Sequence, residues 1–228
     1  MTHIPVITID GPSGSGKGAI THRLAEALGF QILDSGALYR LIGLAARRRN
    51  IALDAEDALV KLALELEIEF QPTSDPEEPI EILLFGERVT RDLRTNEAGT
   101  DASKVAPIEA VREAIKDLQQ DFRKAPGLIA DGRDMGTVVF VDADAKIYLT
   151  ASAETRAERR YKQLKDKGID VSLHALFISI QERDERDMNR EVAPLIPAAD
   201  ARVIDSTKMD IDQVFNEALA FVRERLAN

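Results

Sequence analysis

Hydrophobic positions along the chain follow two alternating rhythms. Short apolar runs ending in an acidic or small residue, at 5–10, 31–34, 128–131, 145–151 and 201–206, are separated by longer stretches with apolar residues three or four apart, at 17–28, 36–48, 54–66, 108–124, 153–167, 173–190 and 211–226. The first rhythm suits strands buried on both faces and the second suits amphipathic helices, so the pattern predicts a parallel sheet covered by helices. Asp210 and Gln213 have the spacing of a reciprocal cap and predict that the last helix starts just after Asp210. Between 67 and 93 the rhythm changes to short alternating strands, Glu67-Ile-Glu-Phe70 and Pro79-Ile-Glu-Ile-Leu-Leu-Phe85, with Gly86-Glu87 as a turn before Arg88-Val-Thr90. A small antiparallel patch inserted into an α/β frame is expected there, in a kind of segment that often carries substrate contacts.

The length of 228 residues allows one substantial core, and no linker or internal repeat divides the chain, which predicts one domain with insertions. A formal net charge of −10 gives no bulk attraction to nucleic acid or an anionic membrane, and neither is expected as a partner. The absence of cysteine excludes disulfides and thiolate metal sites. No signal-peptide pattern opens the chain and its apolar runs are too short to span a bilayer, so a cytoplasmic protein is expected. A monomer is the default expectation. The three histidines, His3, His22 and His174, have no ligand or triad spacing.

Candidate chemistry begins at Gly11-Pro-Ser-Gly-Ser-Gly-Lys17, which fits the phosphate-loop pattern G-x-x-x-x-G-K. It follows an expected strand and opens an expected helix, the arrangement that aims backbone N–H groups and a helix N-terminus at an anion, with the lysine reaching the outer phosphates. The usual Ser or Thr after the lysine, which would hold Mg²⁺, is missing, because Gly18 and Ala19 follow. The second strand runs into Asp34-Ser-Gly-Ala-Leu-Tyr-Arg40, where Arg40 suits a second phosphate or, equally, a solvated helix start capped by Ser35. The third runs into Ala130-Asp-Gly-Arg-Asp-Met-Gly136, placing Asp131 where phosphate-loop enzymes keep a carboxylate facing Mg²⁺ or its waters, with Arg133 and Asp134 in a glycine-flanked turn.

Two helices add charge. At roughly 100° per residue, Leu173, Leu176, Ile180, Arg183, Asp187 and Arg190 share one arc, so an apolar face becomes Arg, Asp, Arg without rotating and is expected to look into a cleft. In the run 153–165, Arg156, Arg159 and Arg160 have no evident structural partner in the sequence. A solvated face would be the ordinary reading, but behind a strand of a phosphate-transfer enzyme they are expected to close over the transferring group.

Together, Gly-Pro-Ser-Gly-Ser-Gly-Lys-Gly, Asp-Ser-Gly-Ala-Leu-Tyr-Arg, Ile129-Ala-Asp-Gly-Arg-Asp-Met-Gly-Thr-Val-Val-Phe140 and Glu-Arg-Asp-Glu-Arg-Asp-Met-Asn-Arg190 closely resemble the bacterial cytidylate kinases. The resemblance implies a three-layer P-loop kinase fold with a central five-stranded parallel sheet. Its core would lie at 1–35, 125–152 and 191–228, its monophosphate-binding region with the β insertion at 36–124, and its helical lid at 153–169. The implied reaction moves the γ-phosphoryl of ATP to CMP or dCMP. ATP would lie on Gly11, Pro12, Ser13, Gly14, Ser15, Gly16, Lys17, Gly18 and Ala19. The acceptor phosphate would meet Ser35, Arg40, Arg133 and Arg190, with Arg183 and Asp187 along the sugar and phosphate, and Ser103, Arg112 and Asp134 would read cytosine. A carboxylate can accept from the cytosine amino group and an arginine can serve its ring acceptors. Lys17, Arg133, Arg156, Arg159, Arg160 and Arg190 are the expected catalytic cations.

The resembled kinases carry threonine where this chain has Ala19. Mg²⁺ tolerates several waters, so it is expected to be held by ATP oxygens and waters that Asp34 and Asp131 orient. Two other classes share features with the chain. A regulatory GTPase is suggested by Thr207-Lys-Met-Asp210 but lacks any Asp-x-x-Gly, and an adenylate or shikimate kinase would share the phosphate loop.

Overall fold

A computed structural model describes residues 3–72, 80–166 and 168–227. The chain separates into two compact units, one formed by Met1–Asp34 with Leu118–Asn228 and the other by Ser35–Asp117.

The first unit is built on a parallel sheet of β1 (Val6–Asp10), β2 (Gln31–Asp34), β6 (Leu128–Gly132), β7 (Ala145–Thr150) and β8 (Arg202–Asp205), in the order β2-β6-β1-β7-β8. The five expected strands are all present, and β1 is buried along its whole length, as an apolar run covered on both faces should be. Ile7, Ile9, Ile129, Ile147, Leu149 and Ile204 form one face of the core with Ile20 and Leu24 of α1 (Lys17–Leu28) and Val214, Ala218 and Val222 of α8 (Ile211–Leu226). Each of the Ile, Leu and Val side chains stabilises the fold by about 1.5–3 kcal/mol through burial. Alternation along β1 sends Thr8 and Asp10 to the opposite face, where a π-helical turn, Met135–Val139, packs. The register pairs Asp10 with Gly132 and Tyr148, and Asp34 with Asp131, so the strand ends that carry charge lie level at the carboxyl edge. Helices α6 (Ala153–Asp166) and α7 (Leu173–Met188) pack on each other. The expected helix end at Lys167 lies outside the described residues. The expected capping box is present at α8: Gln213 N donates to Asp210 Oδ1 at 2.8 Å, and Asp210 N to Gln213 Oε1 at 2.9 Å.

The second unit holds α2 (Ser35–Arg48), α3 (Glu56–Leu64), an antiparallel sheet of β3 (Ile68–Pro72), β4 (Ile80–Leu84) and β5 (Glu87–Arg88), α4 (Asn96–Val105) and most of α5 (Glu109–Gln120). The antiparallel patch stands where the alternation placed it, although its expected residue Pro79 lies outside the described residues. Its turn is one residue earlier than expected. Leu84 pairs with Glu87, and Phe85 and Gly86, with φ of 51° and 78°, form the two-residue loop whose left-handed backbone matches the strand twist. Phe85 tolerates that conformation with its ring under the Arg49 guanidinium, 4.7 Å from the centroid. Helix α4 was not legible, since Gly99, Thr100, Asp101 and Ser103 are weak helix formers and its buried residues mix the small apolar Ala98, Ala102 and Val105 with the polar Asp101 and Ser103. Thr95 starts it by accepting from Ala98 N at 3.1 Å, and α2 approaches so closely that a Cβ on Gly43 would sit 2.7 Å from Asp101 Cβ.

Candidate active site

The loop 11–16 leaves β1 and enters α1 as its spacing predicts. Gly11 has φ 151° and no room for a side chain, because a Cβ would lie 2.0 Å from the Leu149 carbonyl oxygen. Gly16 caps α1 in the left-handed conformation without any side-chain cap, so the first N–H groups of the helix are not taken by a cap side chain. The Ser15 hydroxyl is buried with no hydrogen-bond partner among the described residues, and the Lys17 ammonium folds back to donate to Pro12 O at 3.0 Å. Lys17 is pushed down to about 7, first by burial and then by the Arg133 and Arg183 charges, with Asp131, 4.0 Å away, opposing.

Around this lysine the first unit gathers a lattice of charges. Arg133 Nε donates to Asp187 Oδ2 at 2.9 Å, and Arg190 donates to the other oxygen of the same carboxylate. Burial works against both partners. The Asp187 carboxylate nonetheless holds the Arg133 guanidinium above its ordinary range, and Arg133 and Arg190 hold Asp187 below the usual carboxylate range. Arg183 Nη1 reaches the Ser13 hydroxyl of the loop at 3.4 Å. The charged end of the expected arc, Arg183, Asp187 and Arg190, therefore does turn inward, while Leu173 at its start is exposed, and the helix ends at Met188 with Arg190 just beyond it. Asp131 faces the first turn of α1, since a Cβ on Gly18 would be 4.0 Å from its Oδ2, and Asp34, on the neighbouring strand, is exposed at the same level. Asp134 is buried at the start of the π-helical turn.

Two buried carboxylates of this region escaped the sequence reading. Asp10, at 4% exposure, accepts from Met135 N and Gly136 N, each at 2.8 Å, and is pushed up to about 7 by burial against the pull of those two amides. A signal existed, because Asp10 ends an apolar strand as Asp131 does. Asp184, next to Arg183, had none: its partner lies 28 residues away.

That partner is Arg156, and it corrects the expectation that the arginines of α6 lack structural partners. Arg156 makes a two-point bond to Asp184, at 2.9 and 2.5 Å, and donates to Ala151 O at 2.9 Å and Ser13 O at 3.1 Å. Four hydrogen bonds on a guanidinium with five N–H donors make it a strut between α6, α7 and the phosphate loop. Arg159 is likewise engaged, donating to Ser206 Oγ at 3.0 Å and Ser206 O at 2.7 Å. Arg160, half-buried, donates to Gln163 at 2.8 Å. The Thr207-Lys-Met-Asp210 run has a structural account as well: Asp210 caps α8, and Thr207 Oγ1 accepts from Ser152 N at 2.9 Å.

In the second unit, Ser35 is buried at the start of α2 and Arg40 is half-buried a turn later. Arg112 is buried and donates from Nη1 to Tyr39 Oη at 3.2 Å and Ala106 O at 3.3 Å, while the Ser103 hydroxyl is buried without a hydrogen-bond partner among the described residues.

Burial first, and the Arg133 and Arg183 charges after it, depress Lys17 at the end of a loop that runs from the central strand of a parallel sheet into a helix, a setting that an anion would relieve. Such an arrangement defines a P-loop phosphate-binding protein of the kinase type. The family model described as Cytidylate kinase matches residues 7–224. A cytidylate kinase of Aeromonas hydrophila subsp. hydrophila is 56% identical over 224 residues, covering 98% of this chain and 96% of that relative. One of Shewanella putrefaciens is 55% identical, covering 98% and 97%. The chain belongs to the cytidylate kinase family.

Proposed function

We propose that the protein transfers the γ-phosphoryl group of ATP to CMP or dCMP, giving ADP and CDP or dCDP. The observation that carries this reading is the full-length match to the family, together with a glycine loop that enters α1 with Lys17 buried at its end and Arg183 reaching Ser13 within it. Residues 11–19 would cradle the ATP phosphates, with Lys17 at the outer oxygens. Arg133 and Arg190, already oriented by Asp187, would take the acceptor phosphate with Ser35, Arg40 and Arg183. Asp134, Arg112 and Ser103 would read the base.

The carboxylates suit a cation that keeps most of its own water. Among the described residues no group of three or more potential ligand side chains converges, and Asp131 faces the first turn of α1 beside Asp34. Mg²⁺ would accordingly be held on ATP oxygens and waters, with Asp34 and Asp131 orienting those waters. When bound, it would neutralise charge on the phosphates. Among the described residues no helix is long and apolar enough to cross a membrane.

The test is an acceptor panel with ATP and Mg²⁺: CMP, dCMP, UMP, AMP and shikimate. CMP and dCMP are expected to be phosphorylated well ahead of the others. Comparable turnover of AMP or shikimate would overturn the acceptor assignment. A buried carboxylate and guanidinium left with the wrong base edge can reject it by up to about 10⁴-fold. UMP is therefore expected to lose its disadvantage in Asp134→Ala.

A further inference from the structure

The segment 131–136 carries Arg133 and Asp134, and what holds its backbone is a residue from the far end of the sequence. Asp10 ends the central strand β1, in register with Gly132 of β6. Its two carboxylate oxygens are divided between two consecutive amides, Oδ1 accepting from Met135 N and Oδ2 from Gly136 N, both at 2.8 Å. These are the first two N–H groups of the π-helical turn Met135–Val139, which has no side-chain cap from Asp134, the residue at its cap position. Asp10 thus caps the turn from 125 residues away.

The fit is close on every side. A Cβ on Gly136 would lie 2.8 Å from Thr8 Oγ1 and 3.4 Å from Asp10 Oδ2, and one on Gly132 would lie 2.7 Å from Met135 Cγ. Met135 and Thr8 are fully buried. Burying a carboxylate at this depth is costly unless its lone pairs are used, and here they meet two backbone donors of the turn itself. A neutral residue of the same size could fill the space without that expense, so the charge is explained by what it holds.

We propose that Asp10 is a positioning residue for acceptor selection: by gripping the amides of Met135 and Gly136 it sets the placement of Arg133 and Asp134 immediately before them. It touches neither substrate, and it acts through the turn. The inference rests on the reading that Arg133 and Asp134 meet the acceptor nucleotide.

The experiment compares the natural protein with Asp10→Asn, measuring kcat and KM for CMP and UMP at saturating ATP, and KM for ATP. The amide has the size of the carboxylate but can accept from only one of the two N–H groups and turns a donor toward the other. A misplacement of even 1 Å can cost on the order of 10²-fold in a phosphotransfer site. The CMP-to-UMP ratio of kcat/KM is expected to fall about 10-fold or more, through a higher KM for CMP, while KM for ATP stays within about twofold. Amide exchange at Met135 and Gly136 is expected to quicken in parallel. A folded Asp10→Asn with an unchanged ratio, or with both acceptors weakened equally, would reduce Asp10 to a structural cap and overturn the inference. If Asp10→Asn does not fold, Gly136→Ala displaces the same turn from the Thr8 side, and an unchanged ratio there is equally fatal. A natural protein with no preference for CMP over UMP would instead defeat the acceptor reading, an outcome visible before any variant is made.

Discussion

Burial first, and the Arg133 charge next, push the Lys17 side chain of the ligand-free protein down to about 7. ATP would bring negative oxygens to the same place and favour the charged form. Binding is therefore expected to be accompanied by net proton uptake at pH 8, read as a dependence of the calorimetric heat on the ionisation enthalpy of the buffer. No buffer dependence would mean that Lys17 is already charged before ATP arrives. The sign for stability follows from the same displacement. Between about pH 7 and 10 unfolding takes up a proton on Lys17, so the ligand-free fold is expected to gain stability as pH rises through that window. The neighbouring metal chemistry is tested at Ala19 and the aspartates. Asp131→Asn is expected to raise the Mg²⁺ concentration for half-maximal rate, and Ala19→Thr to lower it or leave it unchanged. An ordinary Mg²⁺ response in both Asp34→Asn and Asp131→Asn would remove these carboxylates from the metal's surroundings.

At the scale of elements, α6 and α7 are joined by one buried pair, and breaking it should be felt as stability. Removing one member of a buried ion pair leaves the other without compensation, at about 3–5 kcal/mol. Asp184→Ala is accordingly expected to lower the urea midpoint strongly, with Arg160→Met changing it little and acting, if the α6 arginines serve the transferring group, on kcat. Equal midpoints for Asp184→Ala and the natural protein would make the Arg156–Asp184 contact incidental. This pair also marks where the sequence stopped being legible. Parallel strands announce themselves because burial on both faces leaves unbroken apolar runs such as Val6 to Ile9, and the α8 start is written in the local spacing of Asp210 and Gln213. The phosphate loop is similarly local, so its residues could be named without coordinates. Arg156 and Asp184 meet only because two helices pack, and Asp10 meets Gly136 only because β6 enters the sheet beside β1. Helix α4 was hidden for a different reason: its contact with α2 is made by small groups around Gly43 and Ala102, which leave no periodic trace.

For the whole molecule, ligands that bind only the folded state should raise its stability by mass action. At 100 times its Kd, CMP is expected to add about 2.7 kcal/mol, seen as a higher Tm, with a smaller rise for UMP at the same concentration. Equal rises would contradict selective recognition. The strand order has a consequence for how the chain is made. β1 and β2 are not neighbours in the sheet; β6 lies between them and hydrogen-bonds to both. A ribosome releases β1, α1 and β2 first, and at about 5–20 residues per second the residues separating β2 from β6 occupy it for roughly 5–20 s. Throughout that interval the apolar run Val6 to Ile9 has no partner strand, so the nascent chain is expected to rely on chaperones and to become protease-resistant in one late step, once β6 has emerged. Stalled chains cut just before Leu128 and just after Thr150 would show it: protection of the first 34 residues in the shorter chain would mean that the N-terminal strands fold without the strand that joins them.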